Sequence, residues 1–406
     1  MRVLFLSPAA ELGGAERCLV DCIAAIRTAA PNVDITLLSL ADGPLIAQAR
    51  ALGAQVQVVE PPRELSEFGE SAGAQSVATL LRQAASTPAF VRFMHGLRGH
   101  IARFRPDVVH SNGMKAHVLA GLLTPRRSRV VVHLHDFVGS RPASRRLLPA
   151  LARLRPSAVF IANSEAVAED FRRIARRADV RPVYNVVDLD YFAPGPGEPS
   201  WLAHLAKIEP VGPEAVSFGL VATYAIWKGH GLFIEAAGRL KAAHPDLDLR
   251  FFVVGGPIYR TAGSQVSALE LQELAGRAGI GGCFGLVPFQ ADVASVFRSL
   301  NVVVHASTEP EPFGRTIVEA MACARPVIVS SAGGAAELFQ HGENAWGVPP
   351  GDHAALTEAM AHLLDVGIRR KLGEAGRAHA AKAFSRSRLA AQLLEIYRDP
   401  GSARST

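Results

Sequence analysis

Short apolar runs recur along this chain, each separated from the next by an amphipathic stretch of helical period. Val3–Leu6, Asp34–Ser39, Val56–Val59, Val108–His110, Val130–Leu134 and Val159–Ala162 read as buried strands. Between them, Ala15–Ala30 sets Leu19, Cys22, Ile23 and Ile26 on one helical face, Pro44–Leu52 is a short helix closed by Gly53, Val77–Phe104 is largely helical, and Ser164–Arg176 is a further helix. Strands that alternate with helices wind into a parallel sheet, because neighbouring parallel strands need a crossover and a helix supplies it.

The rhythm stops over Ala193–Pro213, where Pro194, Gly195, Pro196, Gly197, Pro199, Pro210, Gly212 and Pro213 break regular structure, and then resumes. Ser217–Ala222, Leu249–Val254, Cys283–Leu286, Val302–His305 and Val327–Ser330 are the strands of the second half. Its helices are Gly231–Ala243, Ser267–Ala278, Arg315–Ala322, Ala335–Gln340, His353–Leu364, Arg369–Phe384 and Arg386–Tyr397. The expected organisation is α/β: a first Rossmann-like domain over 1–192, a linker over 193–213, a second over 214–385, and a C-terminal helix and tail over 386–406 packing back toward the first domain. Two doubly wound domains facing across a cleft enclose a two-substrate site, since such sheets bind ligands outside the carboxyl ends of their strands.

Composition excludes other classes. Of 406 residues, 49 % are hydrophobic and 20 % charged, ample for full cores and wrong for a mainly disordered chain. The 4 cysteines form no Cys-x-x-Cys pair, and Cys18 and Cys22 sit one helical turn apart, as packing residues do. No stretch approaches the roughly 20 apolar residues of a spanning helix, and the start lacks a signal core. The expected location is the cytoplasm. Charge adds a second address: residues 92–181 hold 18 basic against 6 acidic residues, whereas residues 201–406 are balanced at 19 and 19. Such a surface concentrates anions and suits a lipid-linked or phosphorylated partner, or peripheral contact with an anionic membrane at the inner face of the cell membrane. A solvated Arg-rich face is the plainer account of the same residues. Nucleic acid is not expected, because the run has no binding motif and no interleaved aromatics.

Chemistry concentrates in the second half. His305 through Ala322 is a strand, a Pro-rich loop holding Glu311, then Gly314 and a helix whose first N–H groups form a ready pyrophosphate site. Glu319 lies one turn inside that helix, so a carboxylate stands on each side of the phosphate site. Gly333-Gly334, Gly255-Gly256, Trp227-Lys228-Gly229-His230 and Gly13-Gly14 are further strand-to-helix turns. Singly, a Gly-Gly turn is more often structural, a helical Glu solvated and a lone Lys a surface residue. Their order along the chain carries the weight.

The Glu311-x7-Glu319 spacing, with Phe313-Gly314, Glu319-Ala320-Met321-Ala322, Pro326-Val327-Ile328 and Gly333-Gly334-x-x-Glu337, resembles the retaining glycosyltransferases of family 4, which have the GT-B fold. Gly13-Gly14-Ala15-Glu16, His135-Asp136, Asn163-Ser164 and Asn185–Phe192 extend the resemblance over nearly the whole chain. It implies a hexosyltransferase that moves a sugar from a nucleotide diphosphate sugar, a UDP-sugar by preference, to an acceptor hydroxyl in polysaccharide, glycolipid or natural-product glycoside synthesis. By the same resemblance, Glu311 contacts donor-sugar hydroxyls, Glu319 the ribose, Lys228 the diphosphate, Gly14 that diphosphate from the first domain, and His135 the reacting centre. Phe313, Gly314, Arg315, Thr316, Gly256 and Gly334 line the donor, and Val287 lies where backbone reads the base. Asn112, Lys115 and Arg141 are the candidate acceptor contacts.

Two positions depart from the family pattern. Ala222 stands where a second diphosphate cation is usual, and Arg260 is the candidate substitute. Ala324 stands where Gly is common. No metal or other cofactor is expected, because Lys228 and the helix start answer the charge on the departing diphosphate. The alternatives are a sugar-nucleotide 2-epimerase of the same fold, which needs no acceptor, and a non-catalytic nucleotide-sugar-binding subunit. A nicotinamide dehydrogenase is disfavoured, since Gly13-Gly14 is not Gly-x-Gly-x-x-Gly.

Overall fold

The computed structural model describes residues 1–62, 88–212, 214–257 and 264–399. The N-terminal part of the expected helix 77–104, Pro213 and Arg260 lie outside the described residues. The chain divides into two compact units, one built from Met1–Val186 and the chain from Arg386 onward, the other from Val187–Ser385.

Among the described residues, the first unit holds seven parallel strands: β1 (Arg2–Ser7), β2 (Asp34–Ser39), β3 (Gln55–Val58), β4 (Val108–Asn112), β5 (Arg129–Leu134), β6 (Val159–Ala162) and β7 (Asp179–Pro182), in the order β3-β2-β1-β4-β5-β6-β7. Alternate residues feed opposite faces. Val3, Phe5, Val108, Val131 and Ile161 pack under α1 (Gly14–Ala29) and α2 (Pro44–Ala51). Leu4, Leu6, Val109, Val132 and Phe160 pack under α3 (Pro88–Phe104), α4 (Met114–Leu123), α5 (Pro142–Leu154) and α6 (Glu165–Ile174). Ser164 lies just outside α6, where its Oγ accepts from the Val167 N–H at 3.2 Å, as an N-cap does.

The second unit begins before the expected boundary. Val187–Phe192, which the sequence assigns to the end of the first domain, is fastened into the second: the Val187 N–H donates to the Phe384 carbonyl, and Arg377 donates to the carbonyls of Leu189 and Phe192. Residues 193–213 are more than a linker. They carry α7 (Pro199–Ala206), whose proline occupies the first turn, where its missing N–H costs nothing. A Cβ at Gly197 would lie 1.8 Å from the Arg298 carbonyl oxygen, so this segment runs flush against its neighbour.

Six parallel strands follow among the described residues: β8 (Val216–Val221), β9 (Leu249–Val254), β10 (Phe284–Val287), β11 (Val302–His305), β12 (Val327–Ser330) and β13 (Trp346–Val348), in the order β10-β9-β8-β11-β12-β13. The helices are α8 (His230–Ala243), α9 (Ala268–Arg277), α10 (Val293–Arg298), α11 (Arg315–Ala322), α12 (His353–His362) and α13 (Val366–Ala383). A 3₁₀ turn over Gly334–Glu337 replaces the expected helix at 335–340.

The last helix, α14 (Arg386–Arg398), belongs to the first unit. Leu389, Leu393 and Tyr397 enter the core beside α1, and Arg386 pairs with the buried Asp21 at 3.6 Å. Arg129 donates to the Ile396 carbonyl, and Arg181 pairs with Asp399 at 2.8 Å. Among the described residues, no helix is long and apolar enough to cross a membrane.

Candidate active site

In the second sheet the winding reverses between β8 and β11, and the loops after these strands carry the charged residues. Gly229 sits at φ +73°, and a Cβ there would lie 1.8 Å from the Ala306 carbonyl oxygen. Only glycine lets the two loops touch. The Thr308 N–H donates to the Trp227 carbonyl at 2.8 Å and fixes their register.

This contact delivers Lys228 Nζ to 2.7 Å from Glu311 Oε2. The same oxygen accepts from Ser307 Oγ at 2.9 Å and lies 3.4 Å from His305 Nε2. Burial alone would raise the Glu311 carboxyl. Lys228 and His305 outweigh it and hold the group well below the usual carboxylate range. Glu311 is therefore an anion at neutral pH, fixed from three sides.

The Glu311 backbone is tied to the glycine turn after β12: Gly334 N–H donates to the Glu311 carbonyl at 2.7 Å, and Glu311 N–H to that of Ala332 at 3.3 Å. Gly314, at φ +95°, turns the chain into α11. Glu319 is buried on that helix and pairs with Arg315, its Oε1 3.3 Å from Nε, while Thr316 is half-buried beside it. Phe313 differs from expectation: its ring is 2 % exposed and packs edge-on against Phe384, so the side chain anchors the loop and lines no surface. After β9, a Cβ at Gly255 would strike the Ala222 carbonyl oxygen at 2.0 Å, whereas Gly256 has open space above it. The close strand exit at Ala222 thus carries backbone where the family pattern sets a second cation. Val287 is wholly buried at the end of β10, and its carbonyl accepts from the Gly255 N–H.

In the first sheet the reversal falls between β1 and β4. Gly14 opens α1, and a Cβ there would meet no atom within 4 Å, so its backbone is open to approach. Asn112, at the end of β4, accepts at Oδ1 from His135 Nε2 at 2.6 Å and donates from Nδ2 to the Ala15 carbonyl at 3.3 Å. The structure therefore unites Gly14, Asn112 and His135. Lys115 is half-buried on the first turn of α4. Arg141 pairs with Asp136 at 2.9 Å, both well exposed.

Two groups escape the sequence reading. His305 and Ser307 complete the Glu311 shell. In the first unit, His110 and His133 stand on neighbouring strands, with the His133 ring tilted against that of His135 at a centroid distance of 4.1 Å. The signal for all of them is a polar residue at the carboxyl end of an otherwise apolar strand.

Comparison with known proteins identifies the family. Residues 215–366 match the model for glycosyl transferases group 1, and residues 43–191 that for glycosyltransferase family 4. The D-inositol 3-phosphate glycosyltransferase of Streptomyces bingchenggensis is 30 % identical over 337 residues, covering 75 % of this chain and 70 % of that protein. The protein of that name from Paenarthrobacter aurescens is 28 % identical over 313 residues, 73 % of each chain. The crystal structure of Anabaena HepE in complex with UDP and glucose superposes with a TM-score of 0.75 at 25 % identity, covering 97 % of this chain and 98 % of that one. With two Rossmann-like parallel sheets and both halves matched, the chain belongs to the family 4, group 1 glycosyltransferases and is an enzyme of the GT-B fold.

Proposed function

We propose that this glycosyltransferase moves a sugar from a UDP-sugar to an acceptor hydroxyl with the anomeric configuration retained. The observation that carries this reading is the Lys228–Glu311 pair, held at 2.7 Å beside the start of α11. Lys228 and the first N–H groups of α11 meet the negative charge that grows on the departing diphosphate, and preorganised groups of this kind supply much of an enzyme's rate. Glu311 holds donor-sugar hydroxyls, and Glu319 takes the ribose. A phosphate oxygen of the leaving group accepts the acceptor proton on the face the sugar leaves, so no separate base is required; the family resemblance gives His135 an assisting role.

The choice of uridine draws on HepE, whose crystal structures are in complex with UDP and UDP-glucose. The acceptor is read as a phosphorylated or lipid-linked polyol. The name of the Streptomyces and Paenarthrobacter relatives, D-inositol 3-phosphate glycosyltransferase, and the basic run over residues 92–181 support that class. On this reading the enzyme works in the cytoplasm, at the membrane face when the acceptor is a lipid, and needs no metal or cofactor.

The test is a panel of nucleotide sugars with and without polyol phosphates, products separated by anomer. A UDP-sugar consumed only with acceptor, giving the retained anomer in the presence of chelator, is the expected result. Conversion of the nucleotide sugar alone marks an epimerase instead. Glu319→Ala is expected to raise the donor KM about tenfold with a smaller change in kcat. Unchanged donor affinity removes Glu319 from the ribose.

A further inference from the structure

The buried imidazoles of the first unit take no part in the reading above. Tyr397 Oη lies 2.5 Å from His110 Nδ1, and His110 Nε2 lies 3.2 Å from His133 Nδ1. All three side chains are buried. Burial, then the neighbouring His135, lowers His110 to about 3, and burial lowers His133 well below the ordinary histidine value, so both rings are neutral near pH 7. A neutral imidazole bonded at both nitrogens donates through one and accepts through the other.

The end of the row sets its direction. Among the described residues, the Tyr397 hydroxyl has His110 as its hydrogen-bond partner, and the thiol of Cys22, a weak acceptor, also bears on it. A phenol that accepted from His110 would bury its own O–H without a good acceptor, at the full cost of desolvation. The phenol therefore donates to Nδ1. His110 then carries its proton on Nε2 and gives it to His133 Nδ1, which leaves the His133 proton on Nε2. That nitrogen is buried and has no hydrogen-bond partner among the described residues. His133 lines a cavity of about 90 Å³ together with Met114, His117, His135, Phe137 and Ser144. Cores rarely orphan a donor without a use for it.

We propose that His133 Nε2–H holds one hydroxyl oxygen of the acceptor in this cavity, and that Tyr397 and His110 are positioning residues that fix its tautomer. The proposal deepens the glycosyl-transfer reading and rests on it for the identity of the occupant. The neutral N–H suits an uncharged hydroxyl. The His133 ring lies tilted against that of His135 at a centroid distance of 4.1 Å.

The experiment is imidazole-nitrogen NMR on the full-length protein labelled at histidine, with His133 assigned by the signals that His133→Gln removes. Protonated Nε2 and bare Nδ1 are expected in the parent protein, a tautomer mixture in Tyr397→Phe, and a saturable shift of the Nε2–H signal with glycerol, myo-inositol or D-inositol 3-phosphate. An Nδ1–H tautomer, an imidazolium, or an Nε2–H signal that none of these three moves overturns the proposal. Kinetics give a second readout, because the Gln amide reaches the place of Nε2–H and that of Asn does not. His133→Asn is expected to raise the acceptor KM about tenfold, and His133→Gln to stay within about threefold. Equal losses in both variants mean a packing role. UDP titration calorimetry separates the two layers: absence of UDP binding sinks the glycosyl-transfer reading and leaves the tautomer result standing.

Discussion

The two units solve the same problem, how to keep polar groups at the mouth of a parallel sheet, by opposite means. In the second unit the groups are ions. Lys228 and Glu311 come from loops and touch at 2.7 Å, and the cation helps to hold the carboxyl ionised. In the first unit they are neutral rings. His110 and His133 stand on the strands themselves, under helices, and stay uncharged because the core gives a charge no compensation. A charged cluster tolerates acid until its carboxylate titrates. A neutral imidazole cluster fails as soon as the unfolded chain begins to bind the protons that the folded one refuses.

That contrast predicts a difference in acid sensitivity, the largest effect expected here. His110 and His117 both fall to about 3 on folding, chiefly through burial. Above about 6.5, the ordinary histidine value, neither form binds a proton and their neutrality costs nothing. Below it the unfolded chain gains protons first, so stability falls with pH, and the loss saturates near the folded values. At pH 5 the two together remove about 4 kcal/mol. Glu311 titrates lower when folded than when unfolded, so its contribution persists above the carboxylate range and fades only beneath it. Trp201, Trp227 and Trp346 all lie in the second unit, so tryptophan fluorescence reports that unit alone. The second unit carries such a ring, His230, lowered to about 4 chiefly by burial. Hydrogen exchange at pH 5, compared with pH 7 after correction for intrinsic rates, is therefore expected to accelerate more in β4 and β5 than the tryptophan-detected loss of about 2 kcal/mol in the second unit accounts for. Equal acid loss in both units breaks the comparison.

Removing the cation sharpens it from the other side. Lys228→Ala is expected to lower turnover about 10²–10³-fold, measured with saturating donor. A near-normal rate means that another cation handles the diphosphate. Gly229→Ala should have a smaller effect, on folding before chemistry. The added carbon meets the Ala306 carbonyl at 1.8 Å and forces a left-handed alanine, for a loss of about 2–3 kcal/mol in tryptophan-detected unfolding. No loss would mean that the two loops part without cost and that their contact does not set the Lys228 position.

Much of the second cluster is legible in the sequence. Pro, Gly and acidic residues crowd between a strand and a helix at 305–319, in a pattern packing alone would not favour. The first cluster is not legible as a cluster. His110 and His133 are 23 positions apart and Tyr397 lies 287 residues beyond His110, so their meeting is a fact of strand order and of α14. A histidine in an apolar run looks like a satisfied core residue until its neighbours are known. The boundary reading fails on proline. Pro199 has the look of a breaker but opens α7, because the first turn has no N–H to lose. The motif sets Phe313 with the donor, whereas its ring serves the core through Phe384.

The return of α14 to the first unit has a consequence for biosynthesis. The second unit is an insertion, complete in one continuous stretch, so a nascent chain can finish it while the earlier unit still lacks Leu389, Leu393 and Tyr397. Translation proceeds at about 5–20 residues per second, so the oldest sheet stays without this helix for roughly 10–40 seconds after its last strand emerges. During that interval the place beside α1 that Leu389, Leu393 and Tyr397 fill stays open and His110 lacks its Tyr397 partner, and a chain stopped short of residue 386 stays in that state.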